Sequence, residues 1–496
     1  MNISSKYFLL VIAFLSGALV MVFEIIGARI LAPFIGTSFY VWTALIGFVL
    51  ASLSLGYYLG GKWIDKYPSP VLIGYSLIGA SISLLLVLLT KDLFLQWVML
   101  HVKGIRASAI ISSFILFVPA SMFFGSISPM VAKLLLKEMD KAGKTMGNVF
   151  AFSSIGSLVG TFLAGFYLLP TFTLTHILVG LIIISIAPAI LIFMNEKKWI
   201  WVLVSLIALI VMVFSINNRK ENNGYIYKSE SSYNSIKVYP TVHRVTHDEI
   251  LIMQLGRQIA GGMSLTSRPL PFNYLYYFKL AEYFNPQFSK SLMLGGAAYG
   301  FPKYYLKSYP NANIDVVEID EKVTEVAQEY FQLNLENPRL NIFHEDARTF
   351  INTCQEKYDV IYSDTFRNAI SLPYQLTTVE AIQKQYDLLN EGGLVMVNVI
   401  QAVEGKSSLF LQAELKTFQQ VFPQVFLFAD GGLENREEIQ STIIVAVKSN
   451  EAFTFSSGNI GLDSLLVKRV TDYPLTQEAL YDDFAPVDYL AFRGIR

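Results

Sequence analysis

Seven apolar stretches dominate the first 216 positions of this chain, at about 7–33, 38–60, 70–90, 107–125, 147–168, 172–194 and 199–216. A helix needs about 20 mostly apolar residues to cross the hydrocarbon core of a bilayer. Residues 1–216 are therefore predicted to form a multi-span α-helical membrane domain of about seven spans. The first stretch has only Lys6 as a basic flank, and its apolar run continues past any small-residue cleavage point, so it reads as an anchor and not as a signal peptide. At 53% hydrophobic and 16% charged, the chain is too apolar to be dissolved throughout. Lys, Glu and Asp become frequent only from residue 221 on, which divides the chain into a membrane part and a soluble part. A net charge of −1 gives no argument for a nucleic-acid partner.

Two ionisable residues lie in or beside the first stretch, Glu24 and Arg29. Charge at membrane depth is costly and faces a partner or a wet cavity. Arg29 reaching the interface, with Glu24 satisfied locally, is the structural alternative. Gly56 with Gly60, and Gly156 with Gly160, repeat at the four-residue spacing that lets helices approach closely. Segments 27–62 and 128–170 resemble each other, each running from a Pro-containing helix end into a Gly-rich span. Internal repeats of that kind occur in transporters.

In a seven-span arrangement Lys62, Lys66, Lys133, Lys137, Lys141, Lys144, Lys197 and Lys198 share one side. Lys91, Lys103, Arg106, Arg219 and Lys220 share the other. The positive-inside tendency then puts the C-terminal part outside, whereas a domain fed by a cytosolic nucleoside belongs inside. Either the span count is off by one, with 92–102 the expected place, or the charge bias misleads, or the domain does not use a cytosolic ligand. The localisation expected is the cell membrane, multi-pass, with the C-terminal domain on the cytoplasmic side.

Residues 217–224, NNRKENNG, read as a linker. A small β-rich unit is expected over 225–285, with strands in SSYNSIKVYPT and EILIMQL and a turn at GRQIAGGM. From 286 to 496 strand and helix patterns alternate. Strands are expected at 291–294, 313–318, 340–344, 358–363, 393–400, 423–428 and 441–447, with helices at 321–333, 346–354, 376–390 and 407–421. That alternation predicts an α/β doubly wound, largely parallel sheet. Ligands in such sheets bind beyond the carboxyl ends of the strands.

Four features fall on that rim. Gly295, Gly296 and Gly300 follow the first strand, and glycines there let the backbone approach a nucleoside. Glu318 ends the second strand, where an acid can accept both ribose hydroxyls. Asp346 could accept a base amino group or cap the following helix. Asp364 follows an apolar strand and is the candidate general base, with a plain turn residue as the alternative. One cysteine, Cys354, and five histidines form no credible metal constellation, so no metal is expected.

These residues carry a family resemblance. In the order SSYNSIKVY, LMLGGAAYG, VEID, EDA and YDVIYSD, residues of about 225–450 resemble spermidine synthase, a polyamine aminopropyltransferase with the Rossmann-like fold of S-adenosylmethionine-dependent methyltransferases. FEIIGARILAPFIGTS, LGYYLGGKWIDK and GSISPMVAKL, with the closing DDFAPVDYL, resemble the membrane-integral spermidine synthase-like proteins. The resemblance implies transfer of the aminopropyl group of decarboxylated S-adenosylmethionine to an amine. It makes Gly295, Gly296 and Gly300 the nucleoside turn, Glu318 the ribose acid, Asp346 with Ala347 the adenine contact, and Asp364 the proton acceptor. Asn234 stands where the family usually has a glutamine near the ligand.

The departures are equally specific. The family's GGGDGG reads GGAAYG, so the acid that helps to hold the aminopropyl amine is Ala298. The second acid of D-x-x-D is Arg367, a candidate substrate-binding residue that repels a diamine and suits a carboxylate or phosphate. Three readings follow. The first is a membrane-anchored transferase using S-adenosylmethionine or its decarboxylated form on an acceptor other than putrescine, with a methyltransferase as its variant. The second is a non-catalytic nucleoside sensor, and the third a transporter of polyamine-related metabolites. Expected partners are the lipid bilayer and a small amine or membrane-associated acceptor, with a homodimer as the assembly to test.

Overall fold

A computed structural model describes residues 6–36, 38–136, 141–217, 224–231, 233–243, 247–266, 269–365, 373–432 and 434–492. The chain divides into two compact units, Met1–Glu221 and Asn222–Arg496. Most of the expected 217–224 linker, and Arg367, lie outside the described residues.

The first unit is helical. Among the described residues, six helices are long and apolar enough to cross a membrane: Lys6–Ile35, Phe39–Lys66, Val71–His101, Ile105–Leu135, Ala142–Thr171 and Leu174–Asn195. A seventh, Trp199–Asn217, carries a shorter apolar stretch. Residues 92–101 continue the third helix without a break, so no further span starts there. At 31 residues that helix is about 46 Å long, longer than a bilayer core of about 30 Å.

Glycines set the closest helix contacts. A Cβ at Gly56 would lie 2.3 Å from the Met122 carbonyl oxygen, and one at Gly60 2.4 Å from that of Ser126. A Cβ at Gly156 would lie 2.0 Å from the Phe14 oxygen, and one at Gly160 2.4 Å from that of Ala18. Both pairs are packing residues, as their spacing suggested. These are two separate helix pairs: Gly56 and Gly60 of Phe39–Lys66 dock on Ile105–Leu135, and Gly156 and Gly160 of Ala142–Thr171 dock on Lys6–Ile35.

The second unit holds two sheets. The smaller is an antiparallel meander of β1 (Tyr227–Glu230), β2 (Ser235–Val242), β3 (Glu249–Leu255) and β4 (Gln258–Ser264). Most of GRQIAGGM is thus strand and not the expected turn. Gly256, at φ +64°, and Arg257 make the tight turn, and β4 pairs back on β3. Gly261 and Gly262 are read locally as breakers, but here they admit a close neighbour. A Cβ at Gly261 would sit 2.8 Å from the Cβ of Ala298.

The larger sheet has the order β12-β10-β11-β9-β8-β5-β6-β7. Its strands are β5 (Lys290–Leu294), β6 (Asn313–Val317), β7 (Leu340–Phe343), β8 (Tyr358–Ser363), β9 (Leu389–Gln401), β10 (Gln424–Ala429), β11 (Gln440–Val447) and β12 (Arg469–Val470). β5 to β9 are parallel, while β10, β11 and β12 join antiparallel, so the sheet is mixed and not largely parallel. The reason is local. Among the described residues no helix separates β10 from β11, and a parallel return needs a crossover. Among the unit's helices are Gly300–Ser308, Glu321–Tyr330, Ala347–Thr353, Val379–Asp387 and Leu409–Val421. Buried apolar clusters fill both faces of the sheet.

Candidate active site at the carboxyl edge of the sheet

β5, β6, β7 and β8 are parallel, so their carboxyl ends share one rim. Gly295 leaves β5 at φ +94°, and a Cβ there would lie 2.8 Å from the Asp364 carbonyl oxygen. Only glycine meets both demands. The Asp364 N–H donates to the Leu294 carbonyl (3.0 Å), and the Gly295 N–H to that of Val317 (2.9 Å). The turn and the acid after β8 are therefore fixed side by side.

Glu318 follows β6 and is 4% exposed. Its Oε2 accepts from the N–H groups of Gly296 and Ala297, both at 3.0 Å, and its Oε1 from the N–H of Asp320 at 3.1 Å. The expected ribose acid thus also braces the glycine turn, within the lone-pair capacity of a carboxylate. Asp320 caps helix Glu321–Tyr330 and accepts from Ser231 Oγ, whose backbone N–H donates to the Asn234 carbonyl at 2.8 Å. The tie carries the β-rich unit, and Asn234 with it, to the rim.

Asp346 caps helix Ala347–Thr353: its Oδ1 accepts from the N–H groups of Arg348 (2.8 Å) and Thr349 (3.1 Å). Among the described residues its Oδ2 has no partner, so the cap leaves one oxygen for a ligand, and the two expected roles are compatible. Arg348 ties the same helix to its surroundings, donating to the Gln375 carbonyl (2.9 Å) and to Asp482 (2.7 Å).

Asp364 has both oxygens occupied. Tyr274 donates to Oδ2 at 2.9 Å and Asn398 Nδ2 to Oδ1 at 3.0 Å. Withdrawal from water pushes this carboxyl above its ordinary value, against the pull of the two hydrogen bonds. Burial and the neighbouring carboxylate push Tyr274 well above the usual phenol range, so it stays a donor at neutral pH. Asn398 Oδ1 and Thr365 Oγ1 are buried without a partner among the described residues. Such an arrangement offers an oriented, ionisable acceptor to an incoming N–H or O–H.

Position 298 is closed off. Ala298 is 1% exposed beneath Gly261. Tyr299 adopts φ +52°, a conformation that glycine takes at no cost, and its hydroxyl lies 2.7 Å from Thr324 Oγ1. Sequence reasoning missed Tyr274, Asn398, Asp320 and Ser231. Asn398 left one trace, a single polar residue inside the apolar run LVMVNVI.

Residues 279–429 match the spermine/spermidine synthase domain family. The C-terminal part of this chain carries a spermine/spermidine synthase domain. Similar curated proteins include a probable polyamine aminopropyl transferase of Bifidobacterium longum, 29% identical over 185 residues, which are 37% of this chain and 39% of that protein. A polyamine aminopropyltransferase of Alkaliphilus metalliredigens is 24% identical over 200 residues, 36% of this chain and 70% of that one. Among solved structures, a probable spermidine synthase of Corynebacterium glutamicum aligns with a TM-score of 0.41 at 23% identity, over 47% of this chain and 82% of that chain. The synthase domain has a Rossmann-like fold with a mixed sheet. Its family match starts within the small helical segment ahead of β5, so the β-rich meander precedes it.

Proposed function

We propose that the chain is a membrane-anchored spermidine synthase-like transferase. It moves the aminopropyl group of decarboxylated S-adenosylmethionine to an amine other than putrescine. The observation that carries this reading is Asp364, a desolvated carboxylate held by Tyr274 and Asn398 beside the Gly295 turn. The rim residues suit the nucleoside: the glycine turn, Glu318 behind it, and the unpartnered Oδ2 of Asp346.

In the reaction the acceptor nitrogen attacks the aminopropyl carbon next to sulfur. The carbon–sulfur bond breaks, its electron pair leaves with methylthioadenosine, and a proton passes from nitrogen to Asp364. The domain's contribution is positioning and a neutral, attacking amine. An acceptor other than putrescine is supported by the two missing acids, Ala298 and Arg367. A second reading, a nucleoside sensor without turnover, draws on the closure of Ala298 beneath Gly261.

Product analysis tests the proposal. Full-length protein is given decarboxylated S-adenosylmethionine or S-adenosylmethionine, each with a mixed amine pool and a membrane extract. Methylthioadenosine with an aminopropylated product is expected. S-adenosylhomocysteine would make it a methyltransferase, and bound nucleoside without product would leave the sensor.

Counted as six spans, the lysine-rich loops and the C-terminal domain fall on one side, which the positive-inside tendency makes cytoplasmic. A fluorescent protein fused after Arg496 should mature inside the cell. An active alkaline phosphatase at the same place would return the count to seven and put the domain outside.

A further inference from the structure

We propose that the helical unit binds a protonated amine at Glu24. Glu24 is 9% exposed and has no hydrogen-bond or ion-pair partner among the described residues. A lone carboxylate in such surroundings keeps a proton or takes a cation. It lies about 5 Å past the midpoint of Lys6–Ile35, near the middle of the apolar helix.

Irregular and polar features lie within about one helical turn of that level. Lys6–Ile35 and Ala142–Thr171 run parallel: Phe14 abuts Gly156, Ala18 abuts Gly160, and Arg29 donates to the Leu169 carbonyl at 2.8 Å. Interpolation puts Glu24 level with the start of Ala164–Leu168, a π-helical turn. Such turns recur at functional positions. On another side Phe23 packs 4.9 Å from the ring of Phe117, which also abuts Gly27. Ser113 and Ser121 lie one helical turn to either side of Phe117 on the same face. Both hydroxyls are buried without a partner among the described residues.

The donor set selects the ligand. A hard metal ion such as calcium needs about six to eight oxygens, and no group of three or more His, Cys, Asp or Glu gathers anywhere among the described residues. One carboxylate with unpartnered hydroxyls near it matches the three N–H donors and single charge of a primary ammonium. The choice of an amine over an inorganic monovalent cation rests on the amine chemistry proposed for the synthase domain.

The test is equilibrium binding of radiolabelled spermidine, and separately propylamine, to full-length protein in lipid nanodiscs with no nucleoside present. Saturable binding of at least one amine is expected. Glu24→Gln should weaken it at least tenfold, and Asp92→Asn, at an exposed carboxylate of the same helical unit, should leave it unchanged. Equal binding by Glu24→Gln, an equal loss with Asp92→Asn, or no saturable binding by the wild type would overturn the site. If Glu24→Gln does not fold, wild-type protein is labelled with dicyclohexylcarbodiimide and Glu24 is read by peptide mass spectrometry. Amine should protect it, and labelling indifferent to amine would overturn the site. Glu24-dependent binding without any transfer product would keep this site and remove the proposed reaction.

Discussion

Glu24 and Asp364 are both carboxylates withdrawn from water, one in each unit, and they are held in opposite ways. Asp364 has a donor on each oxygen, supplied by Tyr274 and Asn398. Glu24 has none among the described residues. A pinned carboxylate is oriented before substrate arrives, which suits a group that must meet a moving proton. An unpinned one gains its partner only from a ligand. The same contrast extends to glycine. In the helical unit glycines remove side chains so that backbones can touch, whereas Gly295 is needed for its φ as well.

The sharpest way to break the comparison is Asp364→Asn. An amide keeps the shape and cannot accept the proton. General-base catalysis is worth about 10²–10⁴-fold, so turnover should fall by about 10³ while nucleoside affinity stays within twofold. Isothermal titration beside product analysis separates the two. An equal loss of both would make Asp364 a binding residue.

Tyr274→Phe comes next. It removes one donor to an ionised group, worth about 1.5–3 kcal/mol, so turnover should drop by about 10- to 100-fold. The sign for pH is fixed. Asp364 already titrates above its ordinary value because of desolvation, and Tyr274 pulls it back down. Without Tyr274 the ionised form is less favoured, and the acidic limb of the pH–rate profile should move to higher pH. An unmoved limb would show that another group sets it.

Much of this site was legible because it is local. Leu292–Leu294, the glycines, Ile314–Val317 and Glu318 form one βαβ unit whose periodicity and turn residues are contiguous, and its elements fall within a few residues of expectation. The rest was hidden because it is non-local. Tyr274 reaches Asp364 across 90 positions, and Asn398 does so across 34. No spacing rule connects residues so far apart. β4 was misread for a related reason. Gly261 and Gly262 look like turn residues until the loop at Ala298, which they must clear, is known.

The helical unit supplies an internal control at neighbouring positions. A Cβ at Gly60 would fall 2.4 Å from the Ser126 backbone oxygen, while one at Gly61 meets nothing within 4 Å. Gly60→Ala should overpack the helix pair and cost about 1–3 kcal/mol. Gly61→Ala should be neutral, or stabilise by up to about 1 kcal/mol through helix propensity. Thermal unfolding of the two variants in detergent reads the difference, and equal melting temperatures would deny that Gly60 sets the contact.

The smallest expected effect concerns the closing DDFAPVDYL segment. Asp482 accepts from Arg348 (2.7 Å) and from Thr378 Oγ1 (2.6 Å), and its N–H donates to Glu380 (2.9 Å). Arg348 follows Asp346 by two residues, so Asp482 steadies the nucleobase side of the rim through a helix start. Its side chain is 45% exposed, so solvent screens the ion pair, and such pairs are worth about 1 kcal/mol or less. Asp482→Asn should therefore raise KM for the nucleoside by about threefold and leave kcat unchanged. Raising the salt concentration should erase the difference between variant and wild type. A fall in kcat with KM unmoved would place Asp482 in the support of Asp364, and a lower melting temperature with neither constant changed would make the segment a clamp on the fold alone.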